Sequence, residues 1–441
     1  MAAGTGYRGA LRATQWINVG NAYKCAKYTQ MDHTAWMEAA QLSQKALWWN
    51  PRKKVAAVIC SKAPTIDPAF RPQFTNMEKV VVPQASGSHH GYDLCRDFIE
   101  DEFAVQQVLQ RIDIGHPVAV APWIHGADVL NVERLLRERG VTVISQVETL
   151  VGSVADFEQK ATFHRMMEEA GLAHLRPRTH IMENGSMTMS ADQFRNIAGG
   201  SYYLKGNQGA GGSTVMKLQI PEVFDHNIVR DQLESPEAMG TPIKVLKSPM
   251  DWQAPYLLEQ DTAELGLPCS ASVDFQVGDS GLIAEPIIAD MYIRNDRNYA
   301  GFIRRPKDAL MREPWYSTVL DATDKIAKEL SARGYCGSFA NIDVQYRSDR
   351  SDVKVLELNP RRSAILDGHD ALASQYPNHD GLYAFGVDYC TLTNRDIEEI
   401  RNVTSASLEV LQLTGTPEMF YRSMMFTSPC GGDIGVVRSW L

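Results

Sequence analysis

No two cysteines in this 441-residue chain are spaced as C-x-x-C, and the seven present, at positions 25, 60, 95, 269, 336, 390 and 430, are scattered. Neither a disulfide framework nor a cysteine zinc site is expected, and a reducing, cytoplasmic setting fits best. The chain also lacks an uninterrupted apolar run of about 18 residues, the length that would suggest a membrane span. No basic N-terminal stretch leads into an apolar segment, so secretion is not expected. Positive charge is in deficit: 44 Lys and Arg stand against 53 Asp and Glu, a formal net charge of −9. That balance argues against a general nucleic-acid binder but leaves room for a local basic cleft that takes a phosphorylated substrate. What remains, 44% hydrophobic and 22% charged residues, is ordinary for a soluble globular chain of two or three domains.

Residues 1 to about 50 carry a helical pattern through Trp36, Met37, Leu42, Ala46, Leu47 and Trp48 and are expected to form a covering element. Beyond Pro51, buried strands are expected at Val55–Ile59, Lys79–Pro83, Pro117–Ala121 and Val141–Ile144, separated by helices over Asp93–Ile112 and Val129–Arg139. Alternating strands and helices imply a parallel sheet covered on both faces. Ligands of such sheets sit beyond the carboxyl ends of the strands, which draws attention to loops 86–91, with His89 and His90, and 122–126, with Trp123 and His125. These histidines lack partners at metal spacing, and a solvated loop or a packed turn explains them more simply. A boundary is expected near residue 150, followed by a helix through Phe163, Met166, Met167 and Ala170 that stops at Gly171.

A strand over Ser201–Lys205 then runs into Gly206-Asn207-Gln208-Gly209-Ala210-Gly211-Gly212-Ser213-Thr214. Glycines let a backbone fold closely over an anion with its N–H groups pointing inward. A P-loop is excluded because Gly212 occupies the place its lysine needs, whereas Lys205 precedes the loop. A dinucleotide fingerprint is excluded because residues 214–218 read as a strand rather than a helix. A glycine-rich hairpin over phosphates, with a flexible surface hairpin as the plainer alternative, is the reading that remains. Tyr256–Asp261 follows as a strand ending in acceptors, and further strands are expected at Ser270–Val277 and Leu282–Ile288. Arg294, Arg297, Arg304 and Arg305 crowd the segment 291–306 with Tyr292 and Tyr299, and arginine clusters suit phosphate or carboxylate recognition. A solvated face accounts equally well for Arg297 and Arg305.

The stretch with the most chemistry is Val355-Leu356-Glu357-Leu358-Asn359-Pro360-Arg361-Arg362. Period-2 alternation puts Glu357 and Asn359 on one strand face, and magnesium prefers hard oxygen ligands shared with substrate phosphates. Asp343 lies on a second alternating stretch, and the polar turn 347–352 makes the two a hairpin that would bring another carboxylate to the same metal. An edge hairpin with solvated charges is the competing reading. A helix from Trp315 to Arg333 precedes it, ending at Gly334.

In that order of parts, residues 145–370 resemble an ATP-grasp ligase. The resemblance implies an α/β fold (an α+β clamp): an N-terminal parallel-sheet domain over residues 1–150, a two-lobed ATP-grasp domain over 151–370 with lobes 151–258 and 259–370, and a small C-terminal domain over 371–441. It assigns ATP to Lys160, Lys205, the loop residues Gly209, Gly211, Gly212 and Ser213, and the linker Glu259, Gln260 and Asp261. For the ribose carboxylate, Asp261 and Glu264 both stand. Asp343, Glu357 and Asn359 match the Mg2+ ligands and Arg361 the arginine that neutralises the transferring phosphate, with Arg294 and Arg304 completing the expected catalytic set. The implied activity is amide formation between a small-molecule acid and an amine or peptide through an acyl phosphate. The overall layout and the stretch 299–305 look most like the pheganomycin-type peptide ligases of antibiotic biosynthesis. Neither nucleic acid nor membrane is an expected partner, and a homodimer is. An ATP-grasp carboxylase and a non-catalytic ATP-binding regulator are the rival functions. The C-terminal segment is expected to be helical over Ile397–Leu413, with a Gly-rich end at Gly431-Gly432.

Overall fold

The computed structural model describes residues 13–21, 40–51, 53–84, 93–145, 154, 156–182, 200–207, 215–220, 255–263, 265–294, 298–376, 378–404, 407–416 and 422–441. Strands β1 (Gln15–Val19), β2 (Val55–Ile59), β3 (Val80–Val81), β4 (Val118–Pro122) and β5 (Val143–Ile144) form the expected parallel sheet, in the order β3-β2-β1-β4-β5. Its central strand falls in the segment expected to be a cover. Gln15 and Asn18 disguise β1 as surface, yet both are buried. The Gln15 side chain donates to the Asp113 carbonyl, and that of Asn18 donates to the carbonyls of Ala46 and Trp49. Buried amides fully used in this way cost little, which is why polar residues sit at the middle of a sheet. The helix expected over Asp93–Ile112 is two helices, Leu94–Glu100 and Glu102–Leu109. Asp101, extended between them, breaks the first and caps the second by accepting from the N–H groups of Phe103 and Ala104.

Strands β6 (Thr179–Met182), β7 (Gly200–Gly206), β8 (Val215–Ile220) and β9 (Tyr256–Gln260) make an antiparallel sheet in the order β6-β9-β7-β8. Lys205 pairs with Val215, so β7 and β8 are the two arms of the glycine-rich hairpin.

The third sheet holds nine strands: β10 (Cys269–Gly278), β11 (Gly281–Leu282), β12 (Ile287–Arg294), β13 (Asn298–Arg304), β14 (Phe339–Tyr346), β15 (Val353–Asn359), β16 (Tyr383–Val387), β17 (Glu409–Thr414) and β18 (Ser423–Ser428). Their order is β15-β14-β10-β12-β13-β16-β18-β17, with β11 folded back on β10. The single strand expected over Leu282–Ile288 is thus the end of one hairpin and the start of another. Instead of a helix over Ile397–Leu413, the chain forms the helix Asn394–Val403 and then β17. The Thr393–Asp396 capping box starts that helix, and the apolar spacing shortens from Ile397 and Ile400 to the alternation of Leu408 and Val410. The Gly-rich end at Gly431-Gly432 opens the helix Gly431–Ser439. Gly301 is required where β13 meets β16, because at φ 153° a Cβ would lie 2.0 Å from the Gly386 carbonyl oxygen.

The helix Tyr316–Ala332 packs Val319, Ala322, Ile326, Ala327 and Leu330 against β10 and β11, at the spacing of one helical face. One apolar core runs from there through Val273, Ile342 and Val355 to Trp48, Trp49 and Trp123 of the N-terminal region. The nine-stranded sheet and the N-terminal sheet therefore share packing. Among the described residues, no helix is long and apolar enough to cross a membrane.

Candidate functional site

The helix Lys160–Glu169 starts without a side-chain cap of its own. Asn207, just after β7, takes that role from outside: its carbonyl accepts from the Lys160 N–H at 2.9 Å and its side-chain oxygen from the Ala161 N–H at 2.9 Å. Two orphan helix donors are satisfied, and the expected nucleotide lysines, Lys160 and Lys205, come from elements stitched together at this point.

Lys205 is buried on β7, and its Nζ lies 2.5 Å from Glu259 Oε1 on β9. The other Glu259 oxygen faces His164 Nε2 at 3.6 Å, and His164 Nδ1 lies 3.1 Å from an Arg176 nitrogen. An arginine only donates, so Nδ1 is the acceptor and the imidazole proton sits on Nε2, facing Glu259. Burial pulls the His164 pKa down, which keeps the ring neutral despite Glu259. Burial opposes the charged forms of Lys205 and Glu259, but their mutual attraction outweighs it, raising the lysine and lowering the acid. Arg176 ends the chain on Glu168. Gln260 donates its N–H to the Arg178 carbonyl. Asp261 is tied locally, with Oδ2 accepting from Ser201 Oγ at 3.2 Å and lying 2.7 Å from Lys217 Nζ, and Oδ1 accepting from the Ala263 N–H.

The acidic hairpin forms in the register the alternation demands, with Asp343 opposite Glu357 and Asn341 opposite Asn359. Asp343 Oδ1 accepts from Ser272 Oγ at 2.8 Å, Ser272 Oγ accepts from the Asn341 amide at 2.7 Å, and Asn341 Oδ1 accepts from the Asn359 amide at 3.2 Å. Arg361 donates to Asn359 Oδ1 at 2.7 Å. These bonds fix the two amides so that each places its oxygen toward a donor. Burial, then the neighbouring Glu357 charge, pushes the Asp343 carboxyl well above the usual carboxylate range. Burial also opposes ionisation of Glu357, but Lys160 and Lys205 outweigh it and hold that carboxyl below its usual range. The two carboxyls are thus driven in opposite directions. Lys160 Nζ reaches across to Glu357 Oε2 at 3.5 Å, joining the lysine side to the acidic hairpin.

Arg304 is not brought to this cluster. It lies on β13, four strands from β15, or roughly 19 Å at ordinary strand spacing. Its guanidinium donates to the His379 carbonyl at 2.7 Å and to Asp380 at 2.8 Å. There it lines a cavity of about 350 Å³ with Asp274, Glu285, Ile287 and His369. Gly209, Gly211, Gly212, Ser213, Glu264, the Arg294 side chain, Arg297, His89 and His90 lie outside the described residues.

Sequence reasoning missed several groups. His164 had a signal, its position four residues after Lys160 on one helical face, and Asn341 had another, two residues before Asp343. Nothing in the sequence marked Ser272. Arg362, at the end of the magnesium motif, was assigned no role. It stacks 4.6 Å from Trp49 and 5.5 Å from Phe339, and pairs with Asp370 at 2.5 Å and with Asp367 at 3.6 Å. Its N–H donates to the Trp123 carbonyl, and Trp49 Nε1 donates to Asp367 at 2.7 Å. Trp123 thereby reaches the residue next to Arg361. His125 bonds Ser338 Oγ at 2.6 Å, and burial lowers its pKa to about 4, the behaviour of a packed turn residue.

No protein-family model and no curated protein matches the sequence. Solved structures match the fold. An N5-carboxyaminoimidazole ribonucleotide synthetase, in its ADP complex, aligns with a TM-score of 0.52 at 13% identity, over 97% of this chain and 96% of its own. The enzyme of that name from Thermus thermophilus gives 0.51 at 10% identity, over 96% and 97%. These are ATP-grasp fold proteins, and the likeness establishes that architecture for nearly the whole chain.

Proposed function

We propose that the chain is an ATP-dependent ligase that joins a carboxylate to an amine through an acyl phosphate, releasing ADP and phosphate. The observation that carries this reading is the meeting of opposite charges at one place: Lys160 and Lys205 from the helix and sheet of one lobe, Asp343, Glu357 and Asn359 from the hairpin of the other, in contact at Lys160–Glu357. The ADP complex of a protein with the same fold supports a nucleotide there.

Two carboxylates and an amide oxygen, brought onto one face by the hairpin register, form a hard donor set that fits Mg2+. Bound there, Mg2+ would supply charge neutralisation for the phosphates. The rest of the work belongs to the chain. Lys205, braced by Glu259 and His164, offers a fixed ammonium to the nucleotide phosphates. Lys160, at the first turn of its helix, offers another. Arg361, fastened to Asn359, stabilises the transferring phosphoryl group as the substrate carboxylate attacks it. Phosphoryl transfer depends mainly on such positioning, and no protein nucleophile is required.

In this reading residues 1–150 form a substrate domain, 151–370 the nucleotide clamp with lobes 151–258 and 259–370, and 371–441 a small C-terminal unit. The enzyme acts in the cytoplasm as a homodimer on small-molecule acids and amines, without nucleic acid or membrane. The finer assignment is a peptide ligase of the pheganomycin type in natural-product biosynthesis. The names of the fold neighbours favour one other reading, a carboxylase for which bicarbonate is the acid.

A screen for ADP release dependent on added acid and amine tests the class, with bicarbonate as one of the acids. For the acid that responds, oxygen-18 in its carboxylate should pass into released phosphate in step with amide formation. Label in AMP, or none in phosphate, would exclude the acyl phosphate.

A further inference from the structure

Among the described residues, the buried polar atoms without a hydrogen-bond partner include Asp274 Oδ1 on β10, the Tyr299 hydroxyl on β13 and Asp367 Oδ2 on the helix Ala364–Gln375. A buried oxygen left bare is costly to keep, so Asp274, which also lines a cavity, calls for an occupant. Burial and then the fields of Asp388, Asp274, Asp343 and Asp367 raise the Tyr299 hydroxyl pKa well above its usual value, and Asp274 and Asp367 repel each other in turn.

The charges there are one-sided. Among the described residues, Asp274, Asp367, Asp370 and Asp388 are faced by the cations Arg362 and Lys45, and both are engaged: Arg362 by Asp367 and Asp370, Lys45 by Asp388 at 3.1 Å. Asp274 is held by Ser363, whose hydroxyl donates to Oδ2 at 2.5 Å, and Asn341 stands beside it. The same aspartate lines the cavity of about 350 Å³. The cations of that cavity are engaged as well: Arg304 with Asp380, Arg305 with Asp290 and Glu313, and Lys307 with Glu285. Asp274 lines the same cavity with one carboxylate oxygen unused.

We infer that the cavity receives the amine substrate as a primary ammonium group that donates to the bare Asp274 oxygen. An ammonium satisfies the bare Asp274 oxygen with a charge-assisted bond, whereas an anion would meet that carboxylate while the neighbouring cations are engaged elsewhere. The position suits the reaction. Asp274 follows Ser272 by two residues on β10, on the same face, and Ser272 bonds Asp343. The ammonium would therefore lie roughly 7 Å along the strand from the phosphate end of the site. The inference rests on the ligase reading for the role of the amine, not for its binding.

The experiment is calorimetry on the full chain without nucleotide, using L-alaninamide as the probe and lactamide as its uncharged counterpart. Alaninamide should bind at least about tenfold more tightly than lactamide, and Asp274→Asn should weaken it by about tenfold while the affinity for a non-hydrolysable ATP analogue stays within about twofold. Ile287→Trp, which fills the cavity from its wall, should abolish alaninamide binding and serves if the Asp274 variant does not fold. Absence of binding to the wild type, equal binding of lactamide, or full binding by the variants would overturn the inference and leave the Asp274 oxygen to water. Failure of the ATP analogue to bind would instead strike the ligase reading and leave the amine result standing.

Discussion

The four-stranded sheet and the nine-stranded sheet hold their charges in opposite ways. In the first, Lys205 and Lys217 each lie against a buried acid, Glu259 and Asp261, and the acid is braced again from behind by His164 or Ser201. In the second, acids are pressed together: Asp343 against Glu357, and Asp274 within the field of Asp367. Neutral pairs keep their geometry without a ligand, whereas crowded carboxylates hold protons until a cation relieves them. One side is therefore set to bind, and the other is set to change its charge when something arrives.

The largest test of that contrast removes a charge from the crowded side. Glu357→Gln should keep the affinity for a non-hydrolysable ATP analogue within about threefold while turnover falls on the order of 10²–10³-fold, because it removes charge stabilisation needed in the transition state. Unchanged turnover would dissolve the distinction. Removing a charge from the matched side should do the reverse. Lys205→Met should weaken the analogue by about 10–100-fold, the worth of one charged hydrogen bond, with the melting temperature measured alongside to show that the fold survives. A folded variant with wild-type affinity would take Lys205 out of the site.

A third test uses pH. Burial holds the Asp274 carboxyl up at about 7 and that of Asp367 at about 6, against an ordinary value of 3.8. A raised carboxyl favours the protonated fold, so its contribution is full below about pH 4 and is lost as pH rises through 6 to 7. Glu259 has the opposite sign: its lowered pKa gives stability that is present above the ordinary value and lost only as pH falls through the folded one. Between pH 4 and 7 the crowded side should therefore set the slope, with melting temperature declining as pH rises through that window, and Asp274→Asn should flatten it. An unchanged slope in that variant would show that the recess does not carry the proton. The smallest effect belongs to the contact that joins the sides. A double-mutant cycle on Lys160 and Glu357, 3.5 Å apart and partly exposed, should give a coupling below about 1 kcal/mol, vanishing when Mg2+ is added.

The same contrast decides what the sequence could disclose. The acidic hairpin was legible because period-2 alternation places Asp343, Glu357 and Asn359 on one face whatever surrounds them, and β7 with Lys205 was legible for a similar reason. Partners drawn from distant strands were not. Ser272 lies 71 positions from the aspartate it holds, and no local pattern records that pairing. The central strand β1 was hidden because its buried amides imitate a surface, and β17 because the apolar residues of the preceding helix run into its own. Arg304 misled for the opposite reason: an arginine beside tyrosines looks like an anion site, but Asp380 and the His379 carbonyl already occupy it.

The N-terminal tryptophans give the fold a consequence in time. Trp48 donates to the Leu413 carbonyl, 365 residues further on, and Trp49 to Asp367, 318 residues further on. On the ribosome, chain growth of about 5–20 residues per second separates the synthesis of Trp48 from that of its partner by roughly 20–70 s. Through that interval the parallel sheet can pair its own strands, but the face bearing both indoles waits for a surface not yet made. A nascent or truncated chain should therefore be captured by holding chaperones until β17 emerges, and the emergence of that strand, rather than completion of the first sheet, becomes the moment at which the indole face closes.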